Sequence, residues 1–201
     1  MTSQTFNQIF WESITDYHKT DDVNTTSPNS YKSDSLEFLL YKKNWIDTVQ
    51  WHLEDIIRDE NIDPIRALEI KREIDASNQR RTDLVEQIDD YFFDLCKDVT
   101  PIEGARINTE TPAWAIDRLS ILNLKIYHMK EEAERADASE EHRAKCQNKL
   151  TILSLQQKDL SQAINEMLQE MQSGKCLAKT YKQMKMYNDP SLNPVLRKAG
   201  K

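Results

Sequence analysis

The sequence predicts an all-α protein: an elongated antiparallel bundle of four long helices, an extra N-terminal helix and an irregular basic C-terminal extension. Three observations lead there. Only 3 Gly and 6 Pro interrupt 201 residues, although 30 % of the chain is charged and its mean hydropathy is −0.74. That polarity with so few breakers is the composition of long solvated helices. Apolar residues recur at three- and four-residue spacing in five stretches. Cap signals stand where those stretches begin.

Phe6, Ile9, Phe10, Ile14 and Tyr17 share one face and predict a short helix over 4–17. Residues 18–33 are a polar loop, either free or laid across the bundle as a strap. The four-helix core spans 34–173. Its first helix is expected to start near Asp34, with Glu37 three residues on completing a capping box. Its apolar stripe is Leu36, Leu39, Leu40, Ile46, Val49, Leu53, Ile56 and Ile57. Asp63 followed by Pro64 is an N-cap with proline at the first helical position, where the missing N–H costs nothing. The helix it opens is expected to run to about Lys97, with Asn78 and Arg81 interrupting its stripe. Either this helix bends there or it turns polar groups inward. Residues 99–110 connect to Thr111-Pro112, a second cap-plus-proline signal, and a helix to about Asp137. The last long helix begins near Ser139 and ends at Gly174. Helices of about 25–35 residues are roughly 40–50 Å long, more than a small globule needs, so some apolar surface is expected to serve a second copy in a homodimer.

Charge and cysteine content bound the function. The net charge of −7 argues against a nucleic-acid binder. Residues 175–201 are the exception, with seven Lys or Arg against one Asp. That basic tail suits a polyanion, a membrane surface, or the acidic body of its own or another subunit. Cys96, Cys146 and Cys176 are widely spaced and odd in number, so a reduced, cytoplasmic setting fits. No stretch reaches the roughly 20 apolar residues of a membrane span. A single helical domain over 1–201 is the expected organisation.

The densest run of chemistry lies on the helix that carries Trp45 and Trp51. Lys43, Asp47, Gln50 and Glu54 form a line beside its apolar stripe. Asn78 and Arg81 on the next helix, and Asp117 and Asn123 on the one after, occupy or flank core positions. Asp47 or Glu54 with Arg81 would make a carboxylate–guanidinium pair of low dielectric. One reading is an interhelical network that fixes register. Another is a pocket in which Asp47, Glu54, Gln50, Asn78 and Arg81 hold a polar ligand while His52 or His128 moves protons. Solvated helix faces are the third. His52 is one turn from Asp55, and His128 one turn from Glu132; each is a base candidate or a surface pair. His18 and His142 read as solvated. Glu69, Glu73, Glu86 and Asp89 resemble the acidic sets that hold Mg²⁺ in all-helical pyrophosphatases, but surface i,i+4 charges explain them equally. The four tryptophans fit gaps between helices, with base or sugar stacking as the alternative.

Three segments, LYKKNWIDTVQWHLEDIIR at 40–58, KREIDASNQRRTDLVE at 71–86 and TPAWAIDRLSILNLKIYHM at 111–129, resemble the bacterial domain-of-unknown-function family numbered 4254. The resemblance runs over about 6–198. It implies a bacterial, cytoplasmic protein and carries no cofactor or catalytic residue onto this chain. The cofactor is therefore unknown. The functional expectation is a helical ligand- or protein-binding module with a central polar network. The alternatives are an enzyme on a small polar or phosphorylated substrate, possibly by metal-dependent hydrolysis, and polyanion contact through the tail.

Overall fold

The computed structural model describes residues 1–180, 182–184, 186, 189 and 191–199. Among them are six helices: α1 (Ser3–Tyr17), α2 (Leu36–Ile57), α3 (Pro64–Cys96), α4 (Pro112–Glu134), α5 (Glu140–Gln172) and the short α6 (Pro194–Ala199).

The cap signals account for most of these boundaries. Asp63 accepts from the backbone N–H groups of Ile65 and Arg66 at 3.0 Å each. Thr111 accepts from Trp114 and Ser139 from His142 in the same way. At the end of α5, Gly174 sits at φ +72°, and a Cβ there would stand 2.6 Å from the Thr100 carbonyl oxygen. Glycine is required both for the left-handed turn and for the approach of the 97–111 connection. A one-rung bridge between Arg106 and Cys176 then staples that connection to the chain leaving α5.

Several boundaries differ from expectation. The α2 cap is Ser35, whose Oγ accepts from Phe38 N–H, and not Asp34. Asp34 pairs with Lys32 instead, so no Asp34–Glu37 box forms. With 22 and 23 residues, α2 and α4 fall short of the expected length. α3 passes through Asn78 and Arg81 without interruption, so its polar groups turn inward. The C-terminal extension is not wholly irregular, because Asn193 accepts from Val195 N–H at the start of α6. Tyr187 and Pro190, expected within that extension, lie outside the described residues.

Paired residues fix the helix directions. α3 runs against α2 and α4, since Gln50 meets Asn78 while Arg81 and Asp89 meet Asp117 and Thr111. α5 runs against α4, through Asn123–Gln157 and Glu132–His142. α1 is parallel to both α2 and α4: Ser13 meets Tyr41 and His18 meets His52, while Asn7 meets Asn123 and His18 packs on His128. Residues 18–35 are therefore a return strap that carries the chain back before α2 begins. α2 to α5 form the up-down-up-down bundle, and α1 is a fifth rod docked on it.

The main core joins Phe6, Phe10 and Tyr17 of α1 to Leu40 and Trp45 of α2, Val85 and Phe92 of α3, Ile116 and Leu119 of α4, and Ile164 and Met171 of α5. A second cluster, Leu53, Ile70 and Ile74, is covered by Val23 of the strap.

Candidate functional site

α2 is packed on three neighbours, so its buried arc is wide. That arc keeps Leu36, Leu40 and Leu53 of the apolar stripe read from the sequence but departs from it elsewhere. Lys43, Asn44, Asp47 and Thr48 are buried beside Leu40, Tyr41 and Trp45, whereas Ile46 and Val49 are only half-buried and Ile56 is exposed. Lys43, with no exposed side-chain surface, ion-pairs with Asp47 one turn along. Its Nζ is also 2.8 Å from Asp117 Oδ1 on α4 and donates to the Asp117 carbonyl at 3.2 Å. From α3, Arg81 grips Asp117 with two bonds of 2.8 and 2.5 Å, and its Nε stands 3.5 Å from Asp47 Oδ1. Ser120 donates to Asp47 at 2.6 Å and accepts from Asn44 at 3.0 Å. Two cations and two carboxylates thus cancel in the interior, which is the condition for burying them at all.

The two carboxylates differ in proton affinity. Burial pushes Asp47 above the usual range, with the Asp117 charge adding to it, and the Lys43 charge offsets only part. Burial also acts upward on Asp117, but the Lys43 charge and the Arg81 bonds outweigh it and hold that carboxyl low.

Arg81 leads from this network to solvent. A cleft of about 590 Å³ opens over it, lined by Asp47, Gln50, Trp51, Glu54, Asp55 and Arg58 among others. Gln50 donates to Asn78 at 3.0 Å across the α2–α3 seam. Asp47 Oδ1 and Gln50 Oε1 are buried without a hydrogen-bond partner among the described residues. Glu54 does not reach Arg81; it stands 3.5 Å from Arg58 at the rim. A larger groove of about 900 Å³ between α4 and α5 includes the ion-paired Arg106–Glu170 and Arg118–Glu110 in its lining, with no such bare buried group.

The remaining sequence candidates lie elsewhere. Asn123 donates to Asn7 and accepts from Gln157, forming a polar seam among α1, α4 and α5. Glu69 and Glu73 pair with Arg66, and Glu86 with Lys182. Asp89 is buried, accepting from Thr111 Oγ1 and Ala113 N–H at the start of α4, and burial pushes its carboxyl up. These four acids do not converge on one point: Glu69 and Glu73 share Arg66, while Glu86 and Asp89 are held by other neighbours. Lys182, in the basic tail, sits 3.1 Å from Asp90 as well, so part of the tail rests on the chain's own acidic surface.

The histidines depart furthest from expectation. His18 is not solvated: its side chain is only 8 % exposed and packs against both His52 and His128. Trp51 stacks on His128 with ring centres 5.0 Å apart, and Tyr17 stacks on His52 at the same distance. Trp45 is a core residue set against Tyr17 and Tyr41. Burial, reinforced by the neighbouring histidine charges, lowers the proton affinity of His52 and His128. His128 opens onto a separate, largely apolar cavity of about 480 Å³, so it does not share the Asp47 cleft. His142 sits 2.8 Å from Glu132 and 3.4 Å from the Cys146 sulfur.

Sequence reasoning missed Lys43 as the hub of the network, and Ser120 and Asn44 as its outer partners. The available signal was a lysine one turn from an aspartate on a helix with two tryptophans.

A family model described as a protein of unknown function (DUF4254) matches residues 37–180. That span holds the whole ion network, His52 and His128. No curated protein and no solved structure matches the chain.

Proposed function

The chain belongs to the DUF4254 family, and from the chemistry of its cleft we propose that it is a binding module for a small, donor-rich polar ligand of the amine or polyol class. The observation that carries this reading is the pair of buried acceptors without a hydrogen bond among the described residues, Asp47 Oδ1 and Gln50 Oε1, on residues that line a cleft of about 590 Å³; Asp47 Oδ1 has only the 3.5 Å approach of Arg81 Nε. A buried acceptor without a donor costs about 1–3 kcal/mol, and a ligand amine or hydroxyl recovers that energy. Asp47, Glu54 and Asp55 against Arg58 and Arg81 favour a neutral or cationic guest. Phosphorylated ligands fit less well, because Arg81 is already committed to Asp117 by two bonds. The Trp51 edge adds an apolar wall of the kind that packs on a sugar ring or an alkyl chain.

Thermal-shift and calorimetric screens against polyamines, amino sugars and sugar alcohols, with sugar phosphates as comparison, test the reading. A true ligand at 100 times its Kd raises stability by about 2.7 kcal/mol. Asp47→Asn should cut that response to about half or less. A panel with no responder, or an unchanged response in Asp47→Asn, overturns the proposal.

A catalytic role is the second reading. Burial raises the proton affinity of Asp47, a carboxylate that lines the cleft, which supports it as the proton-transfer group of that reading. The three free cysteines support a reducing, cytoplasmic setting, and the family resemblance alone supports a bacterial one. Exposed Ile152 and Leu155 on α5 support self-association as a homodimer. Polyanion contact through the tail ranks last, since Lys182 already engages Asp90 and Glu86.

A further inference from the structure

Three histidines far apart in sequence meet at one level of the bundle. His18 is the C-cap of α1, His52 lies near the end of α2, and His128 lies in the second half of α4. Because these helices run parallel, the rings converge from three sides. Among the described residues they form the only group of three His, Cys, Asp or Glu side chains whose ligand atoms all lie within 4.8 Å of one another.

The hydrogen bonds fix which nitrogens face inward. His18 Nδ1 is 2.7 Å from the Ile14 carbonyl, which can only accept, so the proton is on Nδ1 and Nε2 carries a lone pair. His128 Nδ1 is 3.1 Å from the Glu131 carboxylate, with the same consequence. His128 Nε2 is buried with no hydrogen-bond partner among the described residues. His18 Nε2 and His52 Nε2 are 3.4 Å apart. One shared proton satisfies that pair alone and leaves the His128 nitrogen bare. The lone pairs of His18 Nε2 and His128 Nε2, with His52 Nε2 beside them, form an acceptor set that one cation would satisfy.

We propose that His18, His52 and His128 form a binding site for a divalent transition-metal ion of the zinc class. Two nitrogens bound at about 2.0–2.1 Å to a tetrahedral zinc stand roughly 3.3 Å apart, close to the 3.4 Å between His18 and His52. Imidazole is the ligand such ions prefer over carboxylate and water. The outer supports are those metal-bound histidines require, a carbonyl on His18 and a carboxylate on His128, which orient the rings and raise their basicity. Tyr17 and Trp51 stack on His52 and His128 and hold two of the rings in plane. α1 ends at this point, so its carbonyl dipoles add a partial negative charge beside the cation. The exposed Asp21 carboxylate, 3.9 Å from His18 Nε2, or water takes the fourth position. The ion would tie α1 and the start of the strap to α2 and α4. This site is independent of the Asp47 cleft.

The test uses the full chain stripped with chelator and titrated with Zn²⁺ in a competition assay, and with Co²⁺ followed by its visible absorption. The expected result is one ion per chain and a tetrahedral Co²⁺ spectrum. Loss of a group that hydrogen-bonds a metal-bound histidine from outside weakens binding by about 10–100-fold on its own, so His128→Gln and His52→Gln should lose at least about 100-fold. Glu131→Gln should fall within the smaller range, and His142→Gln should bind as the parent does. Imidazole ¹H–¹⁵N spectra of the unaltered protein answer the question without any variant: Zn²⁺ should shift the rings of His18, His52 and His128 and leave His142 in place. Absence of one-to-one binding, equal affinity in correctly folded His128→Gln and His52→Gln, or a shift at His142 in place of these three overturns the proposal.

Discussion

Lys43 is a cation with no exposed surface, held by Asp47 and Asp117. Its worth lies less in net stabilisation than in the cost of breaking it. Removing one partner of a buried pair costs about 3–5 kcal/mol, because the remaining charge is left desolvated, whereas exchanging both for apolar groups is often neutral. Lys43→Met should therefore lower unfolding free energy in chemical denaturation by about 3–5 kcal/mol. Combining Lys43→Met with Asp47→Leu should recover a large part of that, since the Arg81–Asp117 pair stays intact. If the double variant is as unstable as the sum of its parts, the network is not a closed set of charges.

At the scale of elements, the caps were legible and the inner face of α2 was not. Asp63-Pro64, Thr111-Pro112 and Ser139 declare helix starts through local chemistry that tertiary structure did not need to override. α2 defeated the apolar pattern because burial on three sides reaches past one stripe, and because Lys43, Asn44, Asp47 and Thr48 each find a partner inside, in one another, in Ser120 or in backbone carbonyls, with Asp47 Oδ1 and Asn44 Oδ1 left without a hydrogen bond among the described residues. His18 was illegible for a related reason: its partners lie on helices brought parallel by a strap whose sequence says nothing of direction.

Two measurements probe element joints. Gly174→Ala meets both a left-handed φ of +72° and the Thr100 carbonyl, while Gly104, at φ +80°, faces open space. Gly104→Ala should cost about 1 kcal/mol, and Gly174→Ala should cost more, on the order of 2–4 kcal/mol; equal costs in thermal unfolding would show that the Gly174 contact is slack.

The phenols that tie α1 to the strap and α2 offer a pH test. Tyr31 donates to Glu12 and Tyr41 to Asp16, at 2.6 Å each. Burial, then the bond to Glu12, pushes Tyr31 up from 10.0 to about 12, and burial with Asp16 pushes Tyr41 higher still. A phenol raised on folding contributes stability that is whole below its unfolded value of 10.0 and is lost as pH climbs through the folded one. Stability should thus decline above pH 10, and Tyr31→Phe should make the stretch up to about 12 less steep, the raised Tyr41 keeping part of the slope. An unchanged alkaline limb in Tyr31→Phe would remove this tie.

For the whole molecule, the all-helical bundle followed from composition and periodicity, while the docking of α1 parallel to α2 and α4 did not. That arrangement depends on a return strap, and polar loops carry no periodic signal of their path. Ile152 and Leu155, at 57 % and 58 % exposure on α5, are open to solvent among the described residues. In sedimentation equilibrium the parent chain should be a dimer and Ile152→Glu with Leu155→Glu a monomer; a monomeric parent, or an unaltered mass in the variant, would remove this face as an interface.

The central claim is that the cleft over the buried ion network receives a donor-rich ligand through Asp47. Isothermal titration calorimetry of the parent protein and of Asp47→Asn against the best-responding amine or polyol measures it directly. One-to-one binding is expected in the parent, and at least about tenfold weaker binding in the variant, about 1.4 kcal/mol or more. Equal affinity in the two proteins, with Asp47→Asn correctly folded, would contradict it.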